Sequence, residues 1–466
     1  MRVVLADLKG PEGFVSKDTV VGGYGSRSKS FTAVTSVLSQ IKWRFQVALS
    51  VQMAELAAIA AASGHEVVYT RDEFVEGDVA VVLSSLVDYR HETAWADAMR
   101  ARGIRTGFVG LAASKLPHLF AGHADFVISG EPEEAFMRLI RGEQLAGLCA
   151  SREVADLDSL PFPRWDLLPA ASRLPRRTVP LAGRPLGGGF PLLASRSCPE
   201  FCTYCPIRIL ATYRARSVGS IADELEQLCD RYPRPHVIFR DPLFSQDRDR
   251  CLALSDEILS RGLRLTFECE TRLDRLDEQL IDRLHAAGLR TICFGVESHS
   301  PATLRKVARR PIPPRHQSAI VDHCHRTGIV TAAQYVLGFL QDDWSSIAAT
   351  IASAVALGST FAQFKLLTPY PGTPLWKQLE HRVYERDWHK FDGFTPTFTH
   401  PNLSADELQF LLGAAYARFY MRPSWLGTYL RVPGNRARDY LRALDDRVSA
   451  RQARSEIALM SRAVEC

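Results

Sequence analysis

Through the first 150 residues, short apolar runs alternate with amphipathic stretches. Val3–Leu5, Glu66–Tyr69, Val79–Leu83, Arg105–Val109 and Asp125–Ile128 have the length and continuous apolar character of buried strands. Between them, Gln52–Ser63, Glu92–Arg102 and Pro132–Ile140 carry their apolar residues at helical spacing. Strands without polar alternation, separated by helices, predict an α/β domain over residues 1–150: a doubly wound, Rossmann-like parallel sheet that binds ligands at the carboxyl ends of its strands.

Residues 151–190 change character. Leu160-Pro-Phe-Pro-Arg-Trp165, the basic stretch Arg173–Arg177 and Gly187-Gly-Gly189 are dense in proline and glycine, as in a linker that crosses a surface. A second alternation fills 191–380, with strands expected at Leu192–Ala194, His236–Phe239, Leu265–Cys269, Thr291–Val296, Ala333–Leu337 and Gln363–Leu367. Six strands with intervening helices predict a partial (β/α)6, TIM-like barrel. The remainder, 381–466, predicts a helical C-terminal tail through Leu408–Arg418, Trp425–Leu430 and Arg436–Ala450. Within it, Ser404 and Glu407 have the spacing of a capping box.

Composition narrows the function classes. At 466 residues, with 46% hydrophobic and 23% charged positions, the chain is an ordinary globular one with room for two or three domains. The net charge of +5 is spread without a basic block, so no nucleic-acid partner is expected. No apolar run reaches the ~20 residues of a membrane span, and Met1–Leu8 reads as a strand rather than a leader. A cytoplasmic location is expected, where disulfides are rare and clustered cysteines more often bind metal.

Three of the ten cysteines, Cys198, Cys202 and Cys205, fall in Ser195-Arg-Ser-Cys-Pro-Glu-Phe-Cys-Thr-Tyr-Cys-Pro206, directly after the first expected barrel strand. Thiolates are soft ligands for zinc and for iron-sulfur clusters. A structural zinc site is closed by four ligands, whereas three thiolates leave one position open for a substrate or cofactor. The position at the barrel mouth is where such folds keep their active sites.

The spacing Cys198-x3-Cys202-x2-Cys205, with Tyr204 before the third cysteine, resembles the signature of the radical S-adenosylmethionine (SAM) enzymes. Further segments follow in the order that resemblance requires: Val237-Ile-Phe-Arg-Asp-Pro-Leu-Phe244, Phe294-Gly-Val-Glu-Ser298, Tyr335-Val-Leu-Gly-Phe339 and Leu367-Thr-Pro-Tyr-Pro-Gly-Thr-Pro-Leu375. The resemblance implies a [4Fe-4S] cluster on the three cysteines, with its fourth iron chelating S-adenosyl-L-methionine. It also implies reductive cleavage of the sulfonium to a deoxyadenosyl radical, and an external electron donor such as flavodoxin or ferredoxin. Residue by residue, Asp241 is expected at the methionyl amino group and Glu297 near the methionyl or ribose end. Tyr204 is expected beside the cluster and adenine, with Arg272 and Gln334 facing the same mouth. Two positions depart from the family pattern: Pro242 replaces a second acid, and Gly338-Phe-Leu-Gln341 replaces the usual Gly-Phe-Pro-Gly, which predicts a looser turn after the fifth strand.

Members that join such a barrel to an N-terminal parallel sheet form the cobalamin-binding branch, which includes many methyltransferases. Gly64-His-Glu-Val-Val68 and Ile128-Ser-Gly-Glu-Pro-Glu-Glu134 resemble segments of its first domain. The resemblance implies cobalamin across the strand ends, lined by Ser84, Ser85, Val109, Gly110, Gly130 and Glu131. The Asp-x-His-x-x-Gly arrangement that ligates cobalt is absent, and residues 9–50 form an insertion in which Tyr24, Arg27, Lys29, Trp43 and Arg44 are candidates to reach the barrel mouth. The expected activity is C-methylation at an unactivated carbon of a small or lipid-like metabolite. The alternatives are radical cyclisation, oxidation or rearrangement without methyl transfer, and a non-enzymatic zinc-binding protein.

Overall fold

The computed structural model describes residues 1–8, 10, 15–17, 23–27, 29, 36, 49–168, 179–181, 184–186, 188–423 and 425. Trp43, Arg44, the basic stretch 173–177 and the helical segments expected from residue 426 onward lie outside these.

The N-terminal strands are β1 (Arg2–Ala6), β2 (Glu66–Thr70), β3 (Val79–Leu83), β4 (Arg105–Val109), β5 (Phe126–Ser129) and β6 (Gly147–Ala150). All pairings are parallel, in the spatial order β2-β1-β3-β4-β5-β6. Strand order reverses at β1 and β3, the position where open sheets of this type carry ligands. Helices α1 (Val51–Ala62), α2 (Tyr89–Arg100), α3 (Leu111–Lys115) and α4 (Pro132–Ile140) make the crossovers. The five residues of β3 are all buried, as a strand covered on both faces must be. Ser50 starts α1 by accepting from the Met53 amide, a side-chain cap that fixes where the helix begins.

The second sheet runs in simple sequence order: β7 (Phe190–Leu192), β8 (His236–Phe239), β9 (Thr266–Thr271), β10 (Leu289–Glu297), β11 (Val330–Leu337) and β12 (Phe361–Leu366). All of its pairs are parallel. Helices α5 (Val218–Arg231), α6 (Arg248–Ser260), α7 (Glu278–Ala286), α8 (Pro301–Lys306), α9 (Pro314–Thr327) and α10 (Trp344–Leu357) alternate with the strands. This is the expected six-stranded partial barrel. Its first strand lies two residues before the expected Leu192–Ala194.

The barrel strands alternate, which continuous apolar strands would not. Phe267, Cys269, Phe294, Ala333, Tyr335 and Phe364 share one core with helix residues such as Leu225, Leu280 and Ile351. The opposite, concave side carries His236, Arg240, Glu268, Glu270, Gln334, Gln363 and Lys365, none of them fully buried. The barrel interior therefore mixes these polar and charged side chains with Ile238, Cys293, Ala332 and Val336. Beyond β12 come α11 (Pro374–Leu379) and α12 (Ala405–Tyr420). The capping box of Ser404 and Glu407 starts α12, whose Tyr416 and Tyr420 hydroxyls bond the backbone of β12.

Candidate active site at the barrel mouth

The cysteine loop leaves the barrel after β7 and is closed at its base by a short antiparallel ladder, Ser195–Arg196 against Arg214–Ala215. Its tip is held on both sides: the Thr203 amide donates to the Val307 carbonyl at 3.1 Å, and the Leu375 amide donates to the Thr203 carbonyl at 3.0 Å. Within it the Cys205 amide turns back to the Cys202 carbonyl. The Tyr204 ring packs edge-on against Phe339, 5.6 Å between centroids. As free thiols, Cys198 is pushed up by burial and Cys205 is pushed up to about 12, also by burial. Metal binding would have to expel those protons.

Among the described residues no three His, Cys, Asp or Glu side chains gather round one point, as a single zinc ion requires. A cubane makes no such demand, because it takes each thiolate on a different iron.

Around the loop the structure brings together Tyr204, Glu297, Arg309 and Arg272. Glu297 ends β10 in the left-handed region, φ +68°, an uncommon conformation for a non-glycine residue. Its carboxylate lies 3.4 Å from the Arg309 guanidinium and accepts from the Tyr204 hydroxyl, while burial raises its pKa. Gly295 leaves room for this pair, since a β-carbon there would sit 2.2 Å from Glu297 Oε1 and displace it. Arg309 also donates to the Gly295 carbonyl and points Nη1 at Cys202 Sγ, 3.8 Å away. Sequence reasoning missed Arg309. The only signal was its place in an Arg-Arg pair twelve residues after Glu297, which reads as solvated charge, yet Arg309 is buried.

Asp241 is fully buried at the end of β8, and burial raises its pKa. It accepts from the Ala194 amide at 3.0 Å and the Ser195 hydroxyl at 2.5 Å, so it braces the foot of the cysteine loop. Arg272 pairs with Asp274 at 2.9 Å and donates to the Arg310 carbonyl, leaving its Nη1 buried without a partner. The Ser197 hydroxyl, at φ +64° one residue before Cys198, is likewise buried and unpartnered. Gln334 lies in register with Gly295 and Gln363 on the concave face.

The turn after β11 is not loose. Asp342 accepts from the Gly338 and Phe339 amides and its own amide bonds the Phe339 carbonyl at 2.7 Å, so a carboxylate does the work of the missing proline.

The strand ends of the N-terminal sheet are built differently. Ser84 Oγ accepts from the Ala113 amide, and Ser85 donates to Glu92. Lys17, from the insertion, reaches Glu92 at 2.6 Å and the Leu83 carbonyl at 3.1 Å with 1% of its side chain exposed. Val109 is buried at the end of β4. Gly110 and Gly130 both have φ near +110°, where only glycine is comfortable.

Glu131 is turned towards the barrel: it lies 3.3 Å from Arg196 and also pairs with Arg214, the two feet of the cysteine loop. Arg196, 4% exposed, further pairs with Glu55 on α1 at 2.9 Å and Glu133 on α4 at 2.8 Å. The insertion does reach the barrel mouth. Tyr24 stacks on Tyr370 and donates to the Pro371 carbonyl, and Lys29 pairs with Asp392 at 2.6 Å.

With this geometry in place, comparison with known proteins is decisive for the barrel. Residues 192–351 match the Radical SAM superfamily model. The barrel is a radical SAM domain, and the chain a radical SAM enzyme. Among curated proteins, it is similar to an uncharacterized methyltransferase of Pyrococcus horikoshii, 27% identical over 65% of this chain and 68% of that one. It is also similar to the anaerobic magnesium-protoporphyrin IX monomethyl ester cyclase of Cereibacter sphaeroides, 24% identical over 66% of this chain and 54% of that one. The fold is shared with two solved radical SAM structures. TsrM from Kitasatospora setae, with cobalamin and a [4Fe-4S] cluster bound, superposes with a TM-score of 0.58 at 16% identity, covering 82% of this chain and 78% of that one. OxsB, with aqua-cobalamin and S-adenosylmethionine bound, superposes with a TM-score of 0.66 at 13% identity, covering 96% and 71%. Among the described residues no helix is long and apolar enough to cross a membrane.

Proposed function

We propose that this radical SAM enzyme is a cobalamin-dependent C-methyltransferase acting on a small hydrophilic molecule. The observation that carries the reading is the tie between the two sheets: the cysteine loop of the barrel is ion-paired through Arg196 and Arg214 to Glu131, at the strand ends where the N-terminal fold takes its ligand. Two cofactor positions held against each other are what methyl transfer to a carbon radical needs.

Cys198, Cys202 and Cys205 would hold the cluster, and the buried, unpartnered Arg272 Nη1 and Ser197 Oγ are polar atoms that suit a charged cofactor beside it. When bound, the cluster and S-adenosylmethionine together supply a carbon-centred oxidant able to remove hydrogen from an unactivated carbon. Arg309 is the buried cation for the methionyl carboxylate, beside Cys202. Glu297 is the carboxylate nearest for the amino group or ribose, while Asp241, whose two oxygens already accept from Ala194 and Ser195, would hold the loop in place rather than bond the cofactor. Tyr204 closes the mouth against Phe339 and excludes water.

Gly110 and Gly130 would let the backbone at these strand ends pass a corrinoid without side chains, with the Ser151 carbonyl packed against Gly130 from the protein side. The polar atoms of Ser84, Ser85 and Glu131 are committed inside the protein, so these residues would frame the group rather than bond it. When bound, cobalamin supplies a transferable methyl group.

The polar concave face, with Arg240, Glu268, Glu270, Gln363 and Lys365, favours a hydrogen-bonding substrate over a lipid-like one, because desolvating those groups against hydrocarbon is unfavourable. Anaerobic reconstitution tests the reading. It requires about four irons per chain, as one cubane holds, retention of cobalamin, and a product heavier by one methylene. Likeness to the cyclase sustains a second reading, radical chemistry without methyl transfer, which predicts a product lacking that methylene.

A further inference from the structure

We propose that Lys115, at the end of α3, anchors an anionic group of the substrate, a carboxylate or a phosphate, in the seam between the first domain and the barrel mouth. The proposal rests on reading that seam as the place of methyl transfer.

Lys115 follows directly on Ser114, whose hydroxyl donates to the Gly110 carbonyl at 2.8 Å and accepts from the Gly130 amide at 3.1 Å. It therefore starts from the strand ends where the first domain would hold its corrinoid. Its stem then crosses to the barrel. Gly372, at φ +84° in the turn after β12, leaves room for that stem: a β-carbon there would sit 3.5 Å from Lys115 Cδ and 3.2 Å from Ile209 Cδ1. Ile209 and Tyr370 belong, with Tyr204 and the neighbouring Leu116, to one apolar cluster that spans the two domains. The methylenes of Lys115 are thus packed in an apolar seam, and the ammonium is carried to its edge at the barrel mouth.

What the ammonium lacks is a counter-charge. Lys115 is half-buried, and among the described residues no hydrogen bond or ion pair reaches it. Burial lowers its pKa, with no neighbouring charge to oppose the shift. The other cations at the same seam are matched, since Arg196, Arg214 and Lys29 all have carboxylate partners. An ammonium taken partly out of water without a partner is unfavourable, and an anion entering the seam removes that penalty. The seam therefore favours an anionic ligand over a neutral one of the same shape.

Position selects the source of the anion. The methyl acceptor must lie between the two cofactor positions, and this lysine runs from one to the other. The methionyl carboxylate already has Arg309. Cobalamin has one anionic group, the phosphodiester of its nucleotide loop, so it can be told apart from a substrate.

The probe is pyridoxal phosphate, a phosphate-bearing aldehyde, applied to the full chain before any cofactor is added. Its aldehyde condenses with a lysine amine to give an imine and water, borohydride reduces the imine, and peptide mapping reads the label at each lysine. Measured against the exposed Lys377, Lys115 should be labelled about tenfold or more in preference by pyridoxal phosphate than by pyridoxal, which lacks the phosphate. Excess inorganic pyrophosphate should protect Lys115 and leave Lys377 open. It should also raise the Tm of the wild type more than that of Lys115→Met. Equal preference with the two aldehydes would overturn the proposal, because burial alone would then account for the reactivity, and equal shifts in Tm would do the same. Protection by cobalamin but not by cobinamide, which lacks the phosphodiester, would assign the anion to the cofactor and overturn its assignment to the substrate. A wild type that retains no cobalamin sinks the methyl-transfer reading itself, an outcome distinct from these.

Discussion

The strand ends of the two sheets face each other, but they spend their polar groups differently. At the N-terminal sheet Ser85, Glu92 and Lys17 satisfy one another and Ser84 accepts from the Ala113 amide, although Glu133 Oε2 and Gln52 Oε1 are buried without partners; among the described residues no non-glycine residue there has a left-handed backbone. At the barrel mouth Ser197, Glu297 and Ala308 are all left-handed, and Ser197 Oγ and Arg272 Nη1 are buried without partners. Strain and unmet polar atoms persist where a surrounding structure holds them for a purpose. The left-handed residues at the barrel mouth support the proposal that it is the reacting centre, with the first domain tied to it through Arg196 and Arg214.

The largest expected effect comes from removing a ligand at the strained end. Cys205→Ser should drop the iron bound on reconstitution from about four per chain towards zero and abolish turnover. Full iron retention would dissolve the contrast, since the loop would then not be the metal site. Next is the tie between the two regions. Arg196→Ala leaves Glu55, Glu131 and Glu133 without their shared cation, and breaking a buried ion network from one side costs about 3–5 kcal/mol. Denaturant unfolding measures it. A loss under about 1 kcal/mol, the range of surface pairs, would show that Arg196 is not what holds the two domains together.

Arg309→Ala sharpens the comparison within the mouth. Glu297 would lose its buried partner, and affinity for S-adenosylmethionine should weaken about 10- to 100-fold, the scale of a charge-assisted pair. Iron content should stay unchanged. Equilibrium dialysis against the labelled cofactor reads the affinity, and an unaltered value would remove Arg309 from the site.

Arg309 also shows how far a sequence can be read. The strands at Val79–Leu83, Arg105–Val109 and His236–Phe239 follow from apolar runs, because burial between helices leaves little choice of residue. Strand β6, Gly147-Leu-Cys-Ala150, escaped notice because four residues at the sheet edge, one of them buried, are too short an apolar run to distinguish from a loop. The alternation of the barrel strands was hidden by the same bias: the polar concave face looks, in one dimension, like interruption of a strand. The cysteine spacing and Glu297 are local and readable. Arg309, Asp342 and the partners of Arg196 act across the fold, through contacts between segments 14 to 141 residues apart or through a turn whose usual proline is missing. Glu131 was noticed from its segment, yet its carboxylate turns to the barrel, a direction that no one-dimensional pattern carries.

The smallest effect probes the tie by pH. Burial pushes the Glu55 carboxyl up to about 7 from the ordinary 4.5, although Arg196 opposes the shift. The folded protein therefore holds this proton more tightly than the unfolded chain, so the carboxyl's contribution to stability is full below about pH 4.5 and is lost as pH rises towards 7. Glu55→Gln cannot ionise. Its unfolding free energy should decline less steeply than wild type across that window, the two curves separating by about 1–3 kcal/mol at its upper end. Parallel curves would mean that Glu55 is ionised throughout and matched by Arg196 alone. The tie between the sheets would then be a fixed ion pair whose strength does not change over that range of pH.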